Sequence, residues 1–225
     1  YQFAEGNLGS TARQISADAT VELTGGEPLN LSATPDRSAE LTSALLLGRY
    51  WVVRGTPEAM QRAHDAFAEA LRLDSNSVEA LAGMAGARMR AAAYGYRSEE
   101  DFYSSMAEAI KEARKAYALD STNRDAAFIA ARAARFSGAR RDSVIRMYEA
   151  VLATNPDLPD VLIDLGQMLG DAGQGDSAAA LARRAVELSP LAAATRHGAI
   201  TVALRSRKYD MAIEQARARL AQDPG

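Results

Sequence analysis

Asp157-Leu-Pro-Asp-Val-Leu162-Ile-Asp-Leu165-Gly166-Gln-Met-Leu169-Gly-Asp-Ala-Gly173-Gln-Gly-Asp-Ser-Ala178-Ala-Ala-Leu-Ala182-Arg-Arg-Ala185-Val-Glu-Leu-Ser189-Pro190 reads as one unit of a repeating helical pattern. Leu162, Leu165 and Leu169 recur at helical spacing and share one face. After a turn at Gly173, Ala178, Ala182 and Ala185 share a face of a second helix. The small residues let the two helices approach closely, Gly166 makes room for the partner helix, and the closing proline cannot continue the second helix. The unit is framed by Asn155-Pro156 and Ser189-Pro190, and Asp223-Pro224 closes a further one, so the prolines fall 34 residues apart both times. A single pair cannot bury its own apolar stripe, so neighbouring pairs must stack.

Looser copies extend in both directions. After Pro190 the small positions are Ala199, Ala203, Ala212 and Ala216. Upstream, Asp120-Ser121 and Asp74-Ser75 stand where the proline would. The first copy reads Leu47-Gly48-x2-Trp51, then Ala63, Phe67 and Ala70, with Trp51, Phe67, Tyr148 and Leu169 expected as core residues. Thr56 reads as an N-cap, with Pro57 at the first helical position and Glu58 beside the helix dipole. The second copy has Leu81, Met84-Ala85, Ala109, Ala113 and Ala116, and its turn gains about a dozen residues around Tyr94-Gly95-Tyr96. The third has Ala127, Ala130-Ala131, Val144, Tyr148 and Val151.

The period and the large-x2-Leu-Gly-x2-large stretch resemble the tetratricopeptide repeat (TPR) family. The resemblance implies an all-α, right-handed superhelical solenoid of about five helix hairpins over 39–224, with repeats at 41–75, 76–121, 122–156, 157–190 and 191–224. Residues 1–38 do not fit the period. Gln2 to Val21 suggests a helix through Phe3, Leu8, Ala12 and Ile15, followed by a linker through Pro28 and Pro35. A narrower resemblance rests on Leu47-Gly48-Arg49-Tyr50-Trp51-Val-Val-Arg54-Gly-Thr56-Pro57-Glu58, the Tyr94-Gly95-Tyr96 turn and the Val21-Glu22-Leu23-Thr24 approach. These are similar to bacterial regulators that join a TolB-like region to C-terminal TPRs, fused to winged-helix, class III adenylate cyclase or serine/threonine kinase domains. The chain departs from that group at Ser75 and Ser121, where proline is usual, and in the third turn, which lacks the usual aromatic pair. The resemblance implies a sensory or scaffolding module, with no family catalytic residue to carry over.

Bulk composition agrees with a binding module. At 48% hydrophobic and 24% charged, the 225 residues can form a sizeable core. A net charge of −3 gives no footprint for nucleic acid. The absence of cysteine excludes disulfides and thiolate chemistry. No apolar run approaches the roughly 18 residues of a membrane helix, so this segment is not expected to insert in a membrane. The expected setting is the cytoplasm, with the periplasm or export as the alternative.

The first helix of each pair should line a concave groove, through Leu45, Arg49, Val52, Ala82, Gly86, Phe128, Arg132, Arg135, Ile163, Gln167, His197 and Thr201. Chaperone-type TPRs clamp a carboxylate with Lys and Asn; Leu45, Arg49 and Gly83 stand at those places here, so that clamp is not expected. Arg49, Arg132 and Arg135 are candidates to receive an acidic peptide through bidentate pairing, against the plainer role of solvated helix-face arginines. The loop carrying Tyr94, Tyr96, Phe102 and Tyr103 has an interface composition, although its rings could equally fold back over repeat ends. His64 and His197 have no carboxylate at metal-ligand spacing, Gly170 to Gly175 lacks the strand and Lys of a phosphate loop, and no Ser has a partnered His. No enzyme, metal or cofactor is expected. The expected function is a non-catalytic module binding a protein or peptide in the groove. The alternative is an exported domain holding a small ligand beside the 94–103 loop. Ending at Pro224-Gly225, the last pair should expose apolar surface, to be covered by continuing sequence or by a second copy.

Overall fold

The computed structural model describes residues 37–91 and 99–222. These form ten helices in chain order: α1 (Arg37–Arg54), α2 (Pro57–Leu73), α3 (Val78–Ala91), α4 (Glu99–Leu119), α5 (Arg124–Phe136), α6 (Arg141–Thr154), α7 (Pro159–Asp171), α8 (Gly175–Leu188), α9 (Ala193–Arg205) and α10 (Tyr209–Gln222). The expected helix within 2–21, its linker, and the rings of Tyr94 and Tyr96 lie outside the described residues. By contacts the chain divides into Tyr1–Glu40 and Leu41–Gly225, and the repeats occupy the second unit.

Local chemistry sets the helix ends. The Thr56 hydroxyl accepts from the Ala59 amide at 3.2 Å, with Pro57 opening α2. Asn123 caps α5 through two amides at 3.0 Å, and the buried Ser77 hydroxyl caps α3. The first helices of the last three pairs end alike. Gly138 and Gly173 take positive φ, and so does Arg207 (φ 55), which lacks glycine's freedom. In each case the following amide bonds five residues back, Ala139 to Ala134, Gln174 to Leu169 and Lys208 to Ala203. That is the Schellman closure, which satisfies carbonyls the helix leaves open.

From α2 to α10 every helix packs on its sequence neighbours, and α3 also meets α5 while α7 meets α9. The odd-numbered helices therefore form one layer and the even-numbered ones another, the arrangement of a TPR solenoid. Three apolar cores run along the stack: one around Phe67, one around Ala109 and Ala113, and a larger one from α5 to α10. Leu71 joins the first two cores and Phe128 the last two.

Four of the five even helices, α2 to α8, use a fixed triplet on their buried face: Ala63, Phe67 and Ala70; Ala109, Ala113 and Ala116; Val144, Tyr148 and Val151; Ala178, Ala182 and Ala185. Wherever the middle residue is large, the next repeat answers it sixteen residues later. Behind the Phe67 ring lies Gly83, where an added Cβ would come within 2.4 Å of a ring carbon. Behind Tyr148 stands Asp164, whose Oδ2 accepts from the phenol at 3.3 Å. One position thus has two solutions, absence of a side chain for an apolar ring and a carboxylate for a phenol.

Two expectations are corrected. Trp51 is only half-buried; it packs at the edge of the first core, with the Arg62 guanidinium 4.7 Å from its ring. Phe102 and Tyr103 are not loop residues, because α4 begins at Glu99 and takes both into its first two turns. The final pair does expose apolar side chains, among them Ile213 at 49% and Leu220 at 65%.

Candidate interaction site on the odd-helix layer

The receding wall of α3 makes the site. Ala82, Gly83 and Gly86 present almost no side chain, while Val52 and Val53 rise on α1 and Phe128 and Ile129 on α5. The result is an open, largely apolar pocket of about 230 Å³. Arg49, Glu79, Arg90, Asp125 and Arg132 stand around it. Of the sequence-named groove residues, Arg49, Val52, Ala82, Gly86, Phe128 and Arg132 are brought together here.

The arginines around this pocket are not equivalent. Arg132 is partly buried, its side chain 15% exposed; its Nε donates to Asp164 Oδ2 at 2.8 Å, and its guanidinium lies 4.6 Å from the Phe128 ring centre. The Asp164 charge holds its pKa above the ordinary value against the opposing effect of burial. Burial first, and then the same carboxylate, push the Tyr148 phenol up, so it stays protonated and can donate. Arg90 reaches Asp160 on α7 at 2.5 Å. Arg135 donates to Gln167 Oε1 at 3.1 Å, which spends two of the named residues on each other. Arg49 differs: it is half-exposed, and the carboxylate it approaches, Glu79, is 3.8 Å away, beyond hydrogen-bond reach.

His197 is exposed on α9. Its neighbour Arg196 is buried and donates to Gln215 Oε1 at 2.8 Å and to the Pro190 carbonyl at 2.7 Å. Neither residue lines the pocket. Ile163 is buried rather than groove-facing, because its methyl fills the space over Gly198, where a Cβ would lie 2.5 Å away. Phe102 packs against the middle core and Tyr103 is 61% exposed, both outside the pocket lining.

No family model and no curated protein matches the chain. Among solved structures it is similar to YrrB, described as a TPR protein with an unusual peptide-binding site, at 16% identity over 93% of each chain with a TM-score of 0.47. It is also similar to MamA from residue 41 to its end, from Desulfovibrio magneticus RS-1, at 17% identity over 82% of this chain and 96% of that one, with a TM-score of 0.48. A TPR protein from Parabacteroides merdae aligns at 14% identity over 82% of this chain and 67% of that one, with a TM-score of 0.47. The fold assignment rests on the paired helices themselves.

Arg90, Glu79, Val53 and Asp125 also line the site and were not singled out in the sequence as groove partners. A signal existed: Glu79, Ala82 or Gly83, Gly86 and Arg90 recur at helical spacing on one face of α3. Among the described residues there is no cluster of three or more His, Cys, Asp or Glu side chains placed to hold a metal, and no helix long and apolar enough to cross a membrane.

Proposed function

We propose that this chain is a non-catalytic interaction module that holds a segment of a partner protein along its odd-helix layer. The observation that carries this reading is the pocket over Ala82, Gly83 and Gly86. It is open and apolar, and at about 230 Å³ it is smaller than the roughly 300–1,000 Å³ of small-molecule sites. That volume suits an inserted side chain better than a whole ligand. The neighbouring ion pairs, Arg90 with Asp160 and Arg132 with Asp164, stiffen the surface around it. A preorganised surface loses less side-chain entropy when a partner docks. Placement in a bacterial regulator rests on the sequence resemblance, which covers most of 20–224, and the cytoplasm is the setting we propose for it.

Position-specific photo-crosslinking tests the reading. A crosslinking residue at Val53 or His197, on the odd helices, should capture a partner that the same residue at the exposed Arg183 on α8 does not. Equal capture at all three positions, or capture only at Arg183, would overturn it.

A further inference from the structure

Arg49 and Arg132 occupy the same place in their repeats, each directly after the small residue of its helix, Gly48 and Ala131. In the following odd helix, the position two before the small residue is Asp164 for Arg132 and Gly83 for Arg49. Arg132 therefore has a carboxylate of its own chain at 2.8 Å. The corresponding place beside Arg49 carries no side chain. Aspartate cannot simply stand there, because a Cβ on Gly83 would come within 2.4 Å of the Phe67 ring. Packing of the first core thus excludes the acid that stands at this position two repeats further along. What remains is a half-exposed guanidinium 3.8 Å from Glu79, on the edge of an apolar pocket.

Resting on the groove-binding reading above, we propose that the partner supplies the missing carboxylate. The occupant is an extended peptide segment with one Asp or Glu beside a large apolar side chain. The acid lies over Gly83 and pairs with Arg49 through the two-pronged geometry that guanidinium and carboxylate share. The apolar neighbour enters between Val52 and Phe128. Glu79 and Asp125 around the same pocket repel a continuous acidic run, so the surface selects a single acid flanked by apolar residues.

A displayed library of random peptides, selected on the full chain, tests this. Enriched peptides should share an acid next to a large apolar residue. A synthetic copy of the most enriched one should lose about tenfold or more in affinity with Arg49→Glu, retain part of it with Arg49→Lys, and be unaffected by Arg183→Glu. Gly86→Leu should weaken binding similarly by filling the pocket; an added Cβ there would lie 3.3 Å from the end of the Ile129 side chain. Should that variant fold poorly, Val53→Glu serves instead, since Val53 is 87% exposed. Enriched peptides lacking the acid, or indifferent to Arg49→Glu, overturn the anchor. If such peptides still crosslink through Val53 and His197, the groove reading stands without it. If no peptide is enriched, both readings fall.

Discussion

The densest chemistry in the described residues is the contact of Arg132, Asp164 and Tyr148. Arg132 Nε and the Tyr148 hydroxyl both donate to Asp164 Oδ2 there, with most of all three side chains out of water. Such an arrangement adds little net stability over an apolar one, but breaking it is expensive because a buried charge is left alone. Asp164→Ala should therefore destabilise the fold by about 3–5 kcal/mol, whereas Arg132→Met with Asp164→Leu should recover most of that loss, both read by urea unfolding. A charge-reversed Arg132 would accordingly report unfolding rather than lost binding, and Arg49 is the arginine on which binding can be tested. The phenol gives a pH signature. Its pKa is raised in the fold, so its stabilising contribution is full below the unfolded value near 10 and fades as pH rises above it. Above about pH 10 wild type should lose about 1.4 kcal/mol per pH unit relative to Tyr148→Phe. Parallel unfolding curves for the two proteins from pH 8 to 11 would sink this account.

Helix ends show how one repeat element tolerates different residues. Gly138, Gly173 and Arg207 close their helices with the same pair of backbone bonds, yet Arg207 alone of the three carries a Cβ in the left-handed region. That conformation costs an ordinary residue about 1–2 kcal/mol, offset in part by the freedom glycine loses on folding. Arg207→Gly should stabilise the protein by up to about 1 kcal/mol and Gly173→Ala should destabilise it by a similar amount. Thermal unfolding with melting points moving in the same direction for both would contradict the closure. The hairpins were legible in the sequence because helical spacing recurs in every copy, and in the later ones Gly173 and the closing prolines Pro156 and Pro190 mark the ends by local chemistry. Trp51 was misread for a reason that also lies at this scale. It fills the large position of its repeat, but α1 buries only Ala44 and Gly48, so little packs over it.

Across the whole stack, what the sequence could not show was partnership between repeats. Period alone placed Arg49 and Arg132 on one face; it did not show that Asp164 neutralises one while Gly83 leaves the other open. That difference depends on which side chain fills the middle of the preceding even helix, a contact between elements that no single-repeat pattern contains. The same neighbour-only logic governs stability. In a stacked array each repeat is held by its own core and its interfaces, so opening propagates from the weaker end. The core from α5 to α10 is the largest of the three, and α7 is buried along nearly its whole length. By contrast α1 exposes Leu46, Tyr50 and Val53, the last at 87%. Amide hydrogen exchange should therefore be slowest in α7 and α8 and fastest in the C-terminal half of α1. If an added peptide anchors on Arg49 and Val52, it must slow exchange first in α1 and α3, because a ligand stabilises the states that bind it. Protection appearing instead in α9 and α10 would move the binding surface to the other end of the stack.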